Sequence, residues 1–136
     1  MKTEKSKEKT NTNYLPDVLG DGFNKLILSL AYDYEGDVVA TLIRRNSKTQ
    51  TGTAILYIHG FNDYFFQEEM AKQFNNQGYN FYALDLRKYG RSHLSHQKLN
   101  NVRSLIEYDE EIDLALQIIK SENNNQVILK GHSTGG

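Results

Sequence analysis

The chain has no cysteine, almost no net charge and no long apolar run. Without cysteine there is no disulfide, no thiol nucleophile and no thiolate-held metal, and redox logic says nothing about the compartment. A formal charge of −1, from 16 Lys plus Arg against 17 Asp plus Glu, leaves no electrostatic footprint for nucleic acid or an anionic membrane surface. Uninterrupted apolar stretches reach only about five or six residues, against the roughly 20 that a membrane span requires. The opening MKTEKSKEKTNTN has no apolar core, so a secretory signal is not expected and a cytoplasmic location is. With nothing aliphatic beyond Met1 to bury, residues 1–13 are expected to form a disordered tail and 14–136 a single unit.

What the chain does have is periodicity. In NKLILSLAY (24–32), Leu26, Leu28, Leu30 and Tyr32 recur at period two, as in a half-covered strand. The turn residues 33–36 and the β-branched DVVATLIRR (37–45) extend it into a hairpin. AILYI (54–58) and YNFYALDL (79–86) are apolar on both faces, as in strands of a parallel sheet covered by helices on each side. Between them, Phe66, Met70 and Phe74 at helical spacing, stopped by Gly78, predict a helix over 64–77. A second helix is predicted over 104–120. It opens on a capping box Ser104-Leu105-Ile106-Glu107 and carries Leu105, Tyr108, Ile112, Ala115 and Ile119 on one stripe. QVILK (126–130) is the last strand, with Ile128 expected at a buried position like Leu56 and Leu84. The order β-β-β-α-β-α-β predicts an α/β fold: a doubly wound, mostly parallel sheet with an antiparallel N-terminal hairpin.

The last strand runs straight into Gly131-His132-Ser133-Thr134-Gly135, a G-x-S-x-G pattern. Such a pattern arises by chance in about one chain in twenty of this size, so its setting matters more than its letters. A nucleophile elbow needs a buried strand leading directly into a tight turn, with small residues around the serine where backbones approach closely. Val127-Ile128-Leu129 and the glycines 131, 135 and 136 meet those needs. A phosphate loop would require Lys-Ser or Lys-Thr after the glycines, and that order is absent. His59-Gly60-Phe61, at the end of the first buried strand, offers the second half of an oxyanion hole. Its candidate donors are the backbone N–H groups of Phe61 and Thr134. His59 itself is not expected to be the general base. Neither are His93 and His96, in the connection 87–103, which also lack a third metal ligand at recognisable spacing. His132 would point away from Ser133. No cofactor and no metal are expected.

His59-Gly60, DLRKYGRS (85–92) and GHSTGG (131–136) resemble the α/β-hydrolase superfamily, in particular its serine aminopeptidase and lysophospholipase-like branch, which includes monoacylglycerol lipases. The family's D-x-R-G-x-G-x-S segment is matched by Asp85, Arg87, Gly90 and Ser92, with Lys88 in place of the commoner glycine. The resemblance implies that this segment is structural and packs beneath the elbow. Lys88→Gly is expected to affect activity far less than Ser133→Ala, being a loop change away from the attacking atom. It also implies a triad in the order serine, acid, histidine, and only Thr134, Gly135 and Gly136 follow Ser133.

The chain is therefore expected to be the N-terminal half of a hydrolase domain, ending just past the elbow and inactive alone. Its substrate would be a small-molecule carboxylic ester or amide, and a complementing C-terminal half is its expected partner, with no nucleic acid and no membrane span. A non-catalytic binding module that keeps the hydrolase fold, and half of a split enzyme, are the alternatives.

Overall fold

The computed structural model describes residues 13–49, 51–59, 68–97 and 105–131. The expected tail therefore falls outside the described residues apart from Asn13. The elements are β1 (Leu15–Pro16), β2 (Asn24–Ser29), β3 (Val39–Arg45), β4 (Thr53–Ile58), α1 (Glu68–Asn76), β5 (Asn80–Asp85), α2 (Asp109–Ser121) and β6 (Gln126–Gly131), with short 3-10 turns at Gly90–Ser92 and Leu105–Tyr108. They form one six-stranded sheet in the order β1-β2-β3-β5-β4-β6. β4 pairs in parallel with β5 and β6, and the remaining pairs are antiparallel, so the doubly wound sheet is mixed. β1 carried no periodicity to read, being two residues long. Its Pro16 is tolerated at a sheet edge, where no ladder donor is demanded of it.

Alternation along the strands sorts the core into two layers. Leu26, Leu28, Leu42, Leu56, Tyr82 and Leu84 face one way and pack with Ala115 and Ile119 of α2. Ile43, Ile55, Tyr57, Phe81 and Ala83 face the other way and pack with Ala71 of α1, flanked by half-buried Met70 and Phe74. Both faces of β4 and β5 are thus covered, which is why 54–58 and 81–84 are apolar. Each fully buried aliphatic side chain contributes on the order of 1.5–3 kcal/mol. α1 ends as expected. Gly78, at φ +92°, donates to Asn75 while Tyr79 donates to Phe74, a Schellman close. A Cβ on Gly78 would meet Thr51 at 2.8 Å, so the position demands glycine twice over.

Three expectations are corrected. Tyr32 does not share the buried face. β2 stops at Ser29, the chain turns away through Asp33–Gly36, and Tyr32 is 79% exposed. α2 does not begin at a capping box: it starts at Asp109 after a 3-10 turn, and its N-cap, Tyr108, makes no side-chain capping bond. Glu107, the box's carboxylate, accepts instead from the Tyr34 hydroxyl; Ser104 lies outside the described residues. The acidic first turn Asp109-Glu110-Glu111 complements the helix dipole in place of a cap.

The third correction concerns β6. Ile128 is 44% exposed and Leu129 57% exposed, rather than buried. Among the described residues β6 pairs only with β4, and of its three aliphatic side chains only Val127 packs against the core. An apolar edge strand is a template for pairing with another chain. The 136-residue polypeptide is therefore expected to self-associate with rising concentration, and the double variant Ile128→Lys, Leu129→Lys to do so several-fold less. Sedimentation velocity would show it. Identical profiles for the two would place any association elsewhere.

Candidate active site at the carboxyl ends of the parallel strands

From β4 the chain crosses through α1 to β5 on one side. From β5 it crosses through α2 to β6 on the other side of β4. Where winding reverses in an open α/β sheet, the crevice beyond the carboxyl ends of the strands is where ligands bind. The register fixes that point: Ile58 of β4 lies between Leu84 of β5 and Gly131 of β6. His59 and Asp85 therefore sit side by side, and Gly131, the first residue of the G-x-S-x-G pattern, lies beside them. Ser133, Thr134, Phe61 and His132 lie outside the described residues.

His59 is buried, and its Nε2 accepts the backbone N–H of Leu86 at 3.0 Å. An amide N–H can only donate, so Nε2 is unprotonated and the ring proton sits on Nδ1. The ring also lies 4.7 Å from that of Tyr89. His59 thus ties the ends of β4 and β5 together, and the nitrogen a general base would use is already engaged. His93 and His96 each hold a backbone oxygen through Nε2, that of Gln97 at 2.8 Å and that of Asp37 at 3.0 Å.

The segment after β5 is a clamp whose cations each reach a different element. Arg87 is buried against α2: Glu111 accepts from its Nε at 3.1 Å, its Nη2 at 2.8 Å and its backbone N–H at 2.9 Å, and Glu110 accepts from Nη2 at 3.0 Å. Burial works against the Arg87 cation, but Glu111 and Glu110 more than offset it and hold its pKa above the ordinary value. Arg91 bridges Asp85 at 2.9 Å and Asp17 at 2.7 Å. The Ser92 hydroxyl donates to the Asp85 carbonyl at 2.7 Å and so must accept from Thr41 at 3.0 Å. The Asp85 carboxylate and the Ser92 hydroxyl are both taken up by bonds within the protein. Glu111 was legible in principle: it lies on the apolar stripe of α2, three residues from Tyr108 and four from Ala115.

Lys88 does more than occupy a loop position. Its φ of +65° is the left-handed conformation that glycine adopts freely, so the turn keeps its shape despite the side chain. The ammonium is fully buried, 2.6 Å from Asp33 and 2.9 Å from Glu35 in the hairpin turn and 4.7 Å from the centre of the Tyr34 ring. Lys88→Met, which strands those two carboxylates, should cost about 3 kcal/mol. Lys88→Gly should cost about 1 kcal/mol less, because it relieves the backbone.

The pH dependence has a definite sign. Burial pushes the Asp33 pKa up, but Lys88 and the Glu35 N–H pull it down further, below the ordinary 3.8. The stabilisation from this pair is therefore complete above about pH 4 and lost as pH falls through the depressed folded value. Thermal unfolding of parent and Lys88→Met should differ fully at pH 7 and by less at pH 3. A gap that widens on acidification would contradict the assignment.

The described residues also form a polar cavity of about 650 Å³, lined by Asp21, Asn24, Arg45, Lys48 and Asn75 among others. Its walls are the start of β2, the end of β3 with the residues that follow it, and the end of α1. Among the described residues no helix is long and apolar enough to cross a membrane, and no group of three or more His, Asp or Glu could hold a metal ion.

Comparison with known proteins gives a consistent result. A family model for serine aminopeptidases (S33) matches residues 49–136. Among solved structures, a carboxyl esterase from Bacillus coagulans superposes with TM-score 0.67 at 16% identity, covering 82% of this chain and 37% of its own. A soluble variant of monoglyceride lipase from Saccharomyces cerevisiae gives 0.55 at 21% identity, covering 80% and 34%. The thioesterase domain of the curacin biosynthetic pathway gives 0.56 at 26% identity, covering 80% and 38%. These likenesses carry the fold, and the chain spans between a third and two fifths of each solved chain. No curated protein matches. With the family match extending over most of the chain and onto the α/β-hydrolase fold seen here, the chain belongs to the serine aminopeptidase (S33) family of hydrolases.

Proposed function

We propose that residues 14–136 form the N-terminal half of a serine hydrolase domain acting on carboxylic esters or amides through an acyl-enzyme at Ser133. The observation that carries this reading is the strand register. Gly131 ends β6 directly beside Ile58, so the serine-bearing segment and His59-Gly60-Phe61 start from neighbouring positions at the switch point. In the reaction, Ser133 Oγ attacks the carbonyl carbon while its proton passes to a histidine. The N–H groups of Phe61 and Thr134 hold the oxyanion. The tetrahedral adduct collapses, the alcohol or amine leaves with that proton, and water then repeats the sequence on the acyl-enzyme. The triad histidine and acid are assigned to residues downstream of Gly136. The solved esterase and monoglyceride lipase that share the fold favour an ester over an amide.

A serine-directed fluorophosphonate probe tests this. It is expected to label a polypeptide that carries both this chain and the downstream residues, to spare its Ser133→Ala variant, and to leave the 136-residue polypeptide unlabelled. Labelling that survives Ser133→Ala would remove Ser133 from the chemistry. Equal labelling of the 136-residue polypeptide would show that no downstream base is needed.

A further inference from the structure

Asp17 lies between β1 and β2, far in sequence from the switch point. Its side chain is fully buried and grips Arg91 with both oxygens: Oδ1 accepts from Nε at 2.7 Å and Oδ2 from Nη2 at 2.9 Å. That side-on grip fixes the plane of the guanidinium, whose donors form a rigid fork. The remaining Nη1 is thereby aimed at Asp85 Oδ2, which it meets at 2.9 Å, and the Arg91 backbone N–H meets the same oxygen at 3.3 Å. Asp85, also fully buried, is the last residue of β5. The next residue, Leu86, gives its N–H to His59 at the end of β4. Asp17 is itself held: its Oδ2 accepts the Leu19 N–H at 3.1 Å, and its backbone bonds to Phe23 and Gly20 close a turn.

We infer that Asp17 is a positioning residue for the proposed hydrolysis, acting through Arg91 and Asp85 on the relative placement of the carboxyl ends of β4 and β5. Stability alone is a poor explanation for this cluster. Burying a cation between two carboxylates costs desolvation that apolar packing avoids, and such groups often add little net stability. What the cluster does supply is geometry, since each bond in the series from Asp17 to His59 has a fixed direction. A misplacement of about 1 Å at a reacting centre can cost on the order of 100-fold in rate, so a relaxed series should act on turnover more than on binding.

The inference rests on the serine-hydrolase reading, and its test keeps the two apart. In the active polypeptide carrying this chain, fluorophosphonate labelling of the parent is measured first, and then kcat, KM and Tm for four variants. Asp17→Asn should lower kcat about tenfold with KM within about twofold, and Asp17→Glu should recover most of the loss. Arg91→Lys keeps the charge but loses the fork, and should reproduce the Asp17→Asn loss, so a folding failure of Asp17→Asn leaves the idea testable. Tyr14→Phe is the control on the same segment. The Tyr14 hydroxyl bonds Glu122 at 3.0 Å rather than Arg91, so its loss should lower Tm and leave kcat unchanged. A labelled parent with kcat within twofold in both Asp17→Asn and Arg91→Lys overturns the role of Asp17 alone. So does an equal kcat loss in Tyr14→Phe. An unlabelled parent overturns the hydrolase reading, and the positioning role with it.

Discussion

Ser133→Ala in the active polypeptide is expected to lower turnover of a p-nitrophenyl ester by about 10⁶-fold, with circular dichroism and Tm unchanged. The size follows from what the substitution removes. Without the hydroxyl there is no acyl-enzyme, and knocking out the nucleophile of a triad costs about as much as removing the whole triad. The residue that remains is the oxyanion hole, worth on the order of 10³–10⁴ over water, so activity should approach that floor rather than zero. The fold should be indifferent, because alanine differs from serine only by the loss of the hydroxyl and so adds no atom that could clash. Turnover within tenfold of the parent would exclude Ser133 as nucleophile.

The largest loss of stability is expected from Glu111→Ala, at about 3–5 kcal/mol. Glu111 is fully buried, and Arg87 donates to it from Nε, Nη2 and its backbone N–H. Burial pushes the Glu111 carboxyl up against the pull of Arg87, so the pair is no cheap source of stability. Breaking it is costly all the same, because Arg87 would be left 5% exposed with only Glu110, itself 41% exposed, as counter-charge. For a domain of this size the loss corresponds to a fall in Tm of roughly 10–20 °C. Glu111→Gln, which keeps the shape and part of the hydrogen bonding, should fall between. A loss below about 1 kcal/mol for Glu111→Ala would mean that the clamp after β5 is held by Lys88 and Arg91 without Arg87.

These two variants also mark what local pattern could and could not reveal. β4 and β5 were legible because both faces are covered and, Thr53 apart, every residue on them is buried. The hairpin was legible because Leu26 and Leu28 alternate with Ile27 and Ser29, one face in and one out. β6 misled for the opposite reason. Val127-Ile128-Leu129 has the composition of a covered strand, and composition does not say which neighbours are present. α2 misled at its start, where Glu107 had the spacing of a capping box but a better partner in Tyr34, from a turn 73 residues away in sequence. Long-range polar pairs such as Asp17 with Arg91, or Lys88 with Asp33, leave no period to detect. They show in sequence only as oddities: a lysine where a left-handed turn favours glycine, or a carboxylate on an apolar helical stripe. The serine motif is legible as letters, and the register sets its first residue, Gly131, beside Ile58.

Trapping the acyl-enzyme tests the central claim most directly. The active polypeptide, mixed with a p-nitrophenyl ester and quenched in acid within one turnover, is digested with trypsin and its peptides weighed. Cleavage after Lys130 yields a peptide beginning at Gly131. The mass of the acyl group is expected on that peptide and localised to Ser133. Steady turnover with no adduct there, or an adduct on any other residue, would contradict the account.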